Sequence, residues 1–230
     1  MTVFATLMES FIAGEINYDE IIGEFNNVFH GGLDTTYSQL GSFVLLMGMH
    51  KDKQEKAWQE ISNVFRDDPD GDVTLENLSK FPYMDMILKE TMRIFPTGPI
   101  QMRHIHTDFY MKSKNITLPA GTTILMTNIV MHHNPKIWKS PEKFMPERFM
   151  PEEVAKRPHF SFIPFSAGLR NCIGQIYGND AIKTLAIHLL KNYEFHSDYT
   201  LETLPKAADI SYRSAVGYNV KITRRIAKKN

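Results

Sequence analysis

The sequence contains a single cysteine, so no disulfide can form within the chain. A fold without disulfides suits a reducing compartment, and the one thiol, Cys172, stays free for chemistry. The chain also has no excess of charge of either sign, since 26 lysines and arginines balance 26 aspartates and glutamates. A chain without a basic stripe does not create the field that attracts a phosphate backbone, so we expect no nucleic-acid partner.

Long apolar runs are absent as well. A membrane-spanning helix needs about 18 consecutive apolar residues, and the best run here covers only residues 43–49. Residues 1–14 include Glu9 and lack the basic region and apolar stretch of a signal peptide. We therefore expect no membrane anchor in this chain. Its 230 residues, 43% of them hydrophobic, are enough to bury a core, and we interpret residues 1–230 as one domain or part of one.

Hydrophobic periodicity predicts a mainly α-helical fold with small β-sheets. Asn17 and Glu20 have the spacing of a capping box, and apolar residues recur at helical intervals from there to Met47. Further helices are predicted at residues 50–65, 82–94 and 174–192. Alternating patterns predict strands within residues 100–110 and 115–128 and a closing hairpin over residues 210–224.

The most informative segment is residues 164–174, which read PFSAGLRNCIG. They place two glycines, an arginine and the only cysteine in one loop before a predicted helix. Glycines are kept where the backbone needs special angles or where a flat ligand, such as a planar macrocycle, approaches closely. A helix N-terminus favours the thiolate form of Cys172, which a metal or an electrophile requires. Arg170 is placed to pair with a carboxylate of the same ligand.

The sequence leaves two other interpretations of this cysteine. A lone cysteine is more often a buried and inert residue, but such a residue has no use for the glycine and arginine spacing around Cys172. A nucleophilic cysteine is the second alternative, although no histidine or acid lies nearby in the sequence to act as its base.

The apolar pattern of the first long helix is interrupted at residues 31–36, which read GGLDTT. A threonine hydroxyl can bond to the carbonyl four residues earlier, here Thr35 to Gly31, and loosen the helix. We expect a kinked groove there, in which Asp34 and Thr35 hold a small ligand such as dioxygen and relay protons to it. A close helix-packing contact with a threonine cap is the alternative.

Glu90 and Arg93 are three residues apart in a predicted helix and therefore share one of its faces. Apolar neighbours on both sides indicate that the pair is buried, where it needs a third partner to offset desolvation. Arg148, in the run PERF, is the candidate for that partner.

The loop pattern resembles the haem-binding signature of the cytochrome P450 family, F-x-x-G-x-R-x-C-x-G. All five of its fixed positions are present in this chain: Phe165, Gly168, Arg170, Cys172 and Gly174. The residues around the signature are similar to those of insect microsomal members of family four.

The other motifs follow the family's order along the chain. Glu90 and Arg93 match its E-x-x-R pair, and Arg148 matches the arginine that completes a structural triad. Residues 31–36 are similar to the family's oxygen-activation helix, and Arg103 lies where the family has a contact to a haem propionate. The resemblance covers nearly the whole chain. It implies the C-terminal half of the cytochrome P450 fold, with the N-terminal half absent.

By this resemblance, the chain is expected to belong to a haem-thiolate monooxygenase that inserts one oxygen atom of O2 into an apolar small molecule, such as a lipid, a hormone or a xenobiotic. Cys172 is then the axial thiolate ligand of the iron, and Asp34 and Thr35 are the catalytic residues that deliver protons. The other residues implied at the cofactor are Phe165, Gly168, Arg170, Gly174 and Arg103. Because Gly31 stands where many family-four enzymes have a glutamate that bonds to haem, we expect non-covalent binding.

The resemblance also implies partners and a location. Electrons are expected from an NADPH-dependent reductase flavoprotein, and the location is the microsomal membrane of the endoplasmic reticulum, reached only through the absent N-terminal half. Two alternatives stay open. One is a truncated, catalytically inactive haem-binding or interaction fragment. The other is a haem-thiolate isomerase that needs no reductase, although such enzymes tend to lose the acid and threonine pair that is present here as Asp34 and Thr35.

Overall fold

A computed structural model of the chain describes residues 2–225, and it confirms a mainly helical fold with small sheets. The helices are α1 Val3–Ile12, α2 Tyr18–Met49, α3 Lys51–Val64, α4 Pro82–Ile94, α5 Asn128–His132, α6 Pro151–Val154 and α7 Gln175–Asn192. Single 3₁₀ turns occupy Leu78–Lys80 and Pro146–Phe149. None of the helices within residues 2–225 has both the length and the apolar character needed to cross a bilayer.

Helix α2 begins at the predicted capping box. Asn17 Oδ1 accepts from the Glu20 backbone N–H at 3.0 Å, and Glu20 Oε2 accepts from the Asn17 N–H at 2.7 Å. The helix continues without interruption through both central glycines to Met49. The structure therefore shows no break at residues 31–36, where the sequence predicted a kink, because the surrounding turns keep their backbone hydrogen bonds. The short helix α1, which the sequence did not predict, is capped by the Thr2 side chain.

The core forms around the C-terminal half of α2, which packs against α3, α4 and α7. Its members are completely or almost completely buried apolar side chains, among them Phe43, Leu46, Met47, Ile61, Phe81, Met84, Ile87, Ala186, Ile187 and Leu190. The N-terminal half of α2 is mostly exposed, including Phe29 and Leu33. One helix thus joins a well-packed region to an open surface.

Within residues 2–225 the strands form four separate two-stranded antiparallel sheets. They are β1 Ile100–His104 with β4 Thr123–Thr127, β2 Phe109–Met111 with β3 Ile116–Leu118, β5 Tyr193–His196 with β8 Lys221–Arg224, and β6 Lys206–Ala208 with β7 Tyr212–Ser214. The closing hairpin predicted over residues 210–224 is therefore wrong. Alternation located the two extended segments β7 and β8, but each of them pairs with an earlier strand instead of with the other.

Helix α2 comes unusually close to the chain after β5. A Cβ atom added at Gly48 would lie 2.9 Å from the Ser197 backbone nitrogen and 3.1 Å from the His196 carbonyl carbon. Gly23, in the exposed half of the same helix, would carry a Cβ with nothing within 4 Å among the described residues. The two glycines therefore differ in packing while sharing the same helical backbone.

We expect Gly48→Ala to lower the free energy of unfolding by about 1–3 kcal/mol, because backbone atoms cannot move aside as a side chain can. Gly23→Ala is the matched control, and it should raise stability by roughly 0.5–1 kcal/mol, because alanine is the better helix former. Urea denaturation of both variants measures the difference. Equal effects of the two substitutions would contradict the proposed packing role of Gly48.

Candidate functional site

Residues 165–174 form a compact loop directly before α7. The Cys172 backbone N–H donates to the Phe165 carbonyl at 2.9 Å and closes the loop. Ser166 and Gly168 have positive φ values of 64° and 83°, so the chain reverses sharply between them. Gly174 is the residue that caps α7. The glycine-bearing loop predicted from the sequence is therefore present, and it places Cys172 two residues before the helix cap.

The loop presents its cysteine outward. Cys172 is exposed, and so are the apolar side chains of Leu169 and Ile173 on either side of it. Tyr177, in the first turn of α7, is also largely exposed. An exposed thiol with exposed aliphatic neighbours in the sequence is the opposite of the buried inert cysteine that the sequence left as an alternative. Several large apolar side chains exposed near one loop are typical of a surface that binds another apolar object.

Arginine side chains border the same loop. Arg103, on β1, donates from Nη2 to Ser166 Oγ and to the Arg170 carbonyl oxygen, both at 3.4 Å, and from Nη1 to the Met102 carbonyl at 2.8 Å. Arg170 itself is exposed. Arg103 thus bonds to the loop across 67 positions of the chain, and its guanidinium group can also receive a carboxylate.

The polar residues of α2 have their own hydrogen-bond partners. Thr35 Oγ1 donates to the Gly31 carbonyl at 2.6 Å, as predicted. The carboxylate of Asp34 accepts from Ser211 Oγ at 2.8 Å and from Arg213 Nη1 at 3.2 Å. Within residues 2–225 no hydrogen bond or ion pair joins these groups to the Cys172 loop.

Ser211 and Arg213 were missed by sequence reasoning. They lie in the segment that was assigned to a hairpin, and no local pattern indicates a contact with a helix that precedes them by about 180 residues.

The predicted cluster of Glu90, Arg93 and Arg148 is confirmed, and it is buried. Arg93 donates from Nε and Nη2 to the two carboxylate oxygens of Glu90 at 2.7 and 2.8 Å, and Arg148 Nε donates to Oε1 at 3.3 Å. Glu90 and Arg93 are both 0% exposed. Arg93 also donates to the carbonyls of His132 and Lys143. The cluster thereby ties α4 to the irregular segment that leads into the cysteine loop.

A buried histidine completes that connection. His132 is fully buried, and its Nε2 accepts from the Ile163 backbone N–H at 3.3 Å, two residues before the cysteine loop begins. Its Nδ1 has no hydrogen-bond partner among the described residues. Burial, followed by repulsion from His133 and Arg93, lowers the pKa of His132 to about 3. The side chain is therefore neutral at physiological pH.

Comparison with known proteins decides the family. The chain matches the family model "Cytochrome P450" over residues 4–213. The chain belongs to the cytochrome P450 family. This membership agrees with the resemblance seen in the motifs.

Three P450 relatives illustrate the similarity. Cytochrome P450 4g1 of Drosophila melanogaster is 35% identical over 211 residues, which are 92% of this chain and 38% of that protein. Cytochrome P450 4g15 of the same organism is 32% identical over 220 residues, 95% of this chain and 38% of that protein. Human cytochrome P450 4F12 is 34% identical over 182 residues, 79% of this chain and 34% of that protein. The chain thus spans less than two fifths of the length of these relatives.

Membership of the P450 family implies haem, and the loop fits that group. A Cβ at Gly168 would meet nothing within 4 Å in the described part of the chain, and one at Gly174 would come only within 3.8 Å of Cys172 Sγ. The space over the sulfur is therefore open to a flat ligand. The residue types suit haem as well, because a soft sulfur ligand, an arginine side chain and exposed aliphatic side chains match iron, a propionate and a porphyrin face.

The buried P450 cluster generates a prediction about stability. Glu90→Ala should lower the free energy of unfolding by about 3–5 kcal/mol, because Arg93 and Arg148 would keep their charges without the carboxylate that compensates them. Glu194→Ala is the control, since it removes the exposed ion pair with Lys51 and should change stability by no more than about 1 kcal/mol. Urea unfolding of both variants is the measurement, and similar losses in the two would contradict the role assigned to Glu90.

His132 generates a prediction about pH. Its pKa is lower in the folded chain, about 3, than the ordinary value of 6.5 that applies after unfolding. The unfolded chain therefore binds the extra proton between these values, so stability falls as pH decreases from about 6.5 towards 3. One proton changes the slope by at most about 1.4 kcal/mol per pH unit.

We expect His132→Gln to make stability less dependent on pH over this window. The dependence should be reduced without vanishing, because burial also lowers the pKa values of His50 and His133. Denaturant titrations of both proteins at pH 4 to 7 measure the two slopes. Identical slopes would show that His132 does not titrate as described.

Proposed function

We propose that this chain is the haem-binding and oxygen-activating part of a P450 haem-thiolate monooxygenase. The observation that carries the proposal is the exposed thiol of Cys172 on a glycine-bearing loop at the start of α7. That geometry leaves the sulfur accessible to a metal. A family that implies haem, together with the complete signature around Cys172, supports iron as that metal.

The chain's own residues would hold the cofactor as follows. Cys172 would supply the thiolate that binds the iron, and Gly168 and Gly174 would leave room for the porphyrin to approach the backbone. Arg103 and Arg170 pair with its carboxylates, while Phe165, Leu169 and Ile173 contribute apolar surface. Haem supplies the redox chemistry of dioxygen when bound, and the thiolate donates electron density that favours cleavage of the O–O bond. Non-covalent binding is proposed because Gly31 has no side chain that could bond to the group.

Asp34 and Thr35 are proposed to move the protons that oxygen cleavage consumes. The Asp34 carboxylate would accept a proton from a hydronium ion of the solvent, which becomes water, and pass it to the Thr35 hydroxyl oxygen as that hydroxyl's own proton moves on towards the oxygen site. Each group then returns to its starting state, so neither is used up. The hydrogen bond from Thr35 to the Gly31 carbonyl fixes the hydroxyl on the helix while it waits for its partner.

The substrate class proposed is an apolar small molecule, such as a lipid, hormone or xenobiotic. The exposed apolar side chains on the N-terminal half of α2, including Val28, Phe29 and Leu33, support a lining that would hold such a molecule by burial instead of by charge. An NADPH-dependent reductase flavoprotein is proposed as electron donor and the endoplasmic reticulum membrane as location. Residues 1–230 are proposed to correspond to the C-terminal portion of a P450 domain.

A second candidate is a catalytically inactive haem-binding or interaction fragment. The observation that favours it is the matched length, since the chain covers 38% of its Drosophila relative 4g1. A site that binds haem on one side only would keep the thiolate while lacking a closed substrate cavity. Haem ligation without product formation would distinguish this candidate from the monooxygenase.

The test is a carbon monoxide difference spectrum of the haem-loaded, reduced protein. We expect the strongly red-shifted band of a thiolate ligand, and we expect Cys172→Ser to abolish it because a hydroxyl does not replace the thiolate. Thr35→Ala is the control and should keep the band, since Thr35 does not ligate iron. A wild-type spectrum without the band, or a band that survives Cys172→Ser, would refute the assignment of Cys172.

If the band forms, adding the reductase, NADPH and a fatty acid separates the two candidates. Consumption of NADPH with hydroxylated product supports the monooxygenase. Haem ligation without any oxidation of NADPH supports the inactive fragment.

A further inference from the structure

The carboxylate of Asp34 is held by groups from outside its own helix. Ser211 Oγ donates to Oδ2 at 2.8 Å, and Arg213 Nη1 donates to Oδ1 at 3.2 Å. Each carboxylate oxygen therefore has its own donor from residues 211–218, which we call the β7 segment. Two donors on two oxygens restrict rotation of the carboxylate, whereas one donor would leave it free to turn.

The segment that carries these donors is itself fixed. The Tyr212 backbone N–H donates to the Pro96 carbonyl at 3.1 Å, and the Tyr212 ring lies 5.9 Å from that of Phe95. Ser211 is completely buried. Farther along, the Tyr218 hydroxyl donates to the Ser38 carbonyl on α2 at 3.2 Å. The β7 segment is thus braced between the end of α4 and α2, so its donors are positioned in advance.

The energy of the ion pair does not explain its presence. The side chains of Arg213 and Asp34 are 30% and 34% exposed, and partly exposed pairs of this kind contribute little to stability. The segment is already attached to α2 through Tyr218 and to α4 through Tyr212. A role in orienting the carboxylate accounts for a contact that stability does not require.

We propose that Ser211 and Arg213 are positioning residues that hold the Asp34 carboxylate in one orientation for proton transfer to Thr35. The inference rests on the proposed function of Asp34 and deepens it. Arg213 acts through Asp34 and neither gains nor loses a proton in the transfer. The residues from Ser211 to Arg213 would then determine the fraction of time that the Asp34 carboxylate spends in the orientation needed for proton transfer.

The first test examines the contact in the chain without haem. A double-mutant cycle with Asp34→Ala and Arg213→Gln should show coupling, seen as a two- to five-fold change, roughly, in the unfolding equilibrium constant beyond the sum of the single effects. Urea denaturation supplies the four values. Additive effects would show that the pair does not form and would overturn the inference without touching the assignment of Cys172.

The second test examines turnover of the haem-loaded protein with its reductase. Arg213→Gln should lower kcat by about ten- to a hundred-fold with KM unchanged, because misplacement of a reacting group can cost about a hundred-fold. Arg213→Lys should restore most of kcat, since the ammonium still reaches the carboxylate. Asp209→Asn is the matched control. It removes the other ion-pair partner of Arg213, at 3.5 Å, and should leave kcat unchanged.

The outcomes separate this inference from the proposed function. A wild-type protein with the carbon monoxide band and turnover, combined with an Arg213→Gln variant of normal kcat, sinks the inference alone. Loss of the band in Arg213→Gln would show a structural role and also overturn it. A wild-type protein without band or turnover refutes the proposed function and the positioning role with it.

Discussion

The buried carboxylate of Glu90 is the constraint on which the arrangement of the site depends. It compensates two arginines, and those arginines in turn donate to carbonyls of residues 132–143, a segment with little regular structure of its own. Arg148 reaches the carbonyls of Lys139 and Ser140 in this way. A loop that cannot pair its carbonyls with a neighbouring strand needs other donors. Here guanidinium groups provide them, so the path of the chain towards Cys172 is set by a charge buried on α4.

The features of the fold and of the site that could be predicted from the sequence are those whose residues lie close together along the chain. The capping box at Asn17 and the spacing of Glu90 and Arg93 follow from helix geometry alone, and both were predicted correctly. The pairing of β7 and β8 with earlier strands was not, because alternation specifies an extended backbone and leaves the partner open. The contact of Asp34 with Arg213 had no signal either, since it joins residues 179 positions apart. The signature around Cys172 was visible because one loop carries it.

Helix α2 is well packed in its C-terminal half and mostly exposed in its N-terminal half. Its C-terminal half reaches such close contact that Gly48 leaves no room for a Cβ beside Ser197, while its N-terminal half keeps Phe29 and Leu33 exposed. A rigid helix anchored at one end holds residues at the other end in place without packing around them. Asp34 and Thr35 lie on this half of the helix and are only partly exposed, and the Asp34 side chain is held in addition by Ser211 and Arg213.

Comparison of the two charged clusters shows why they serve different purposes. Removing Glu90 leaves two guanidinium groups without compensation in a dry interior, an effect on the order of 3–5 kcal/mol. Asp34 and Arg213 lie where water reaches both, and such pairs contribute about 0–1 kcal/mol. The first cluster therefore determines whether the segment before Cys172 keeps its path. The second has too little energy to determine folding, yet together with Ser211 it engages both oxygens of the Asp34 carboxylate. The ion pair of Asp34 and Arg213 is therefore suited to orienting the carboxylate and contributes little to the stability of the fold.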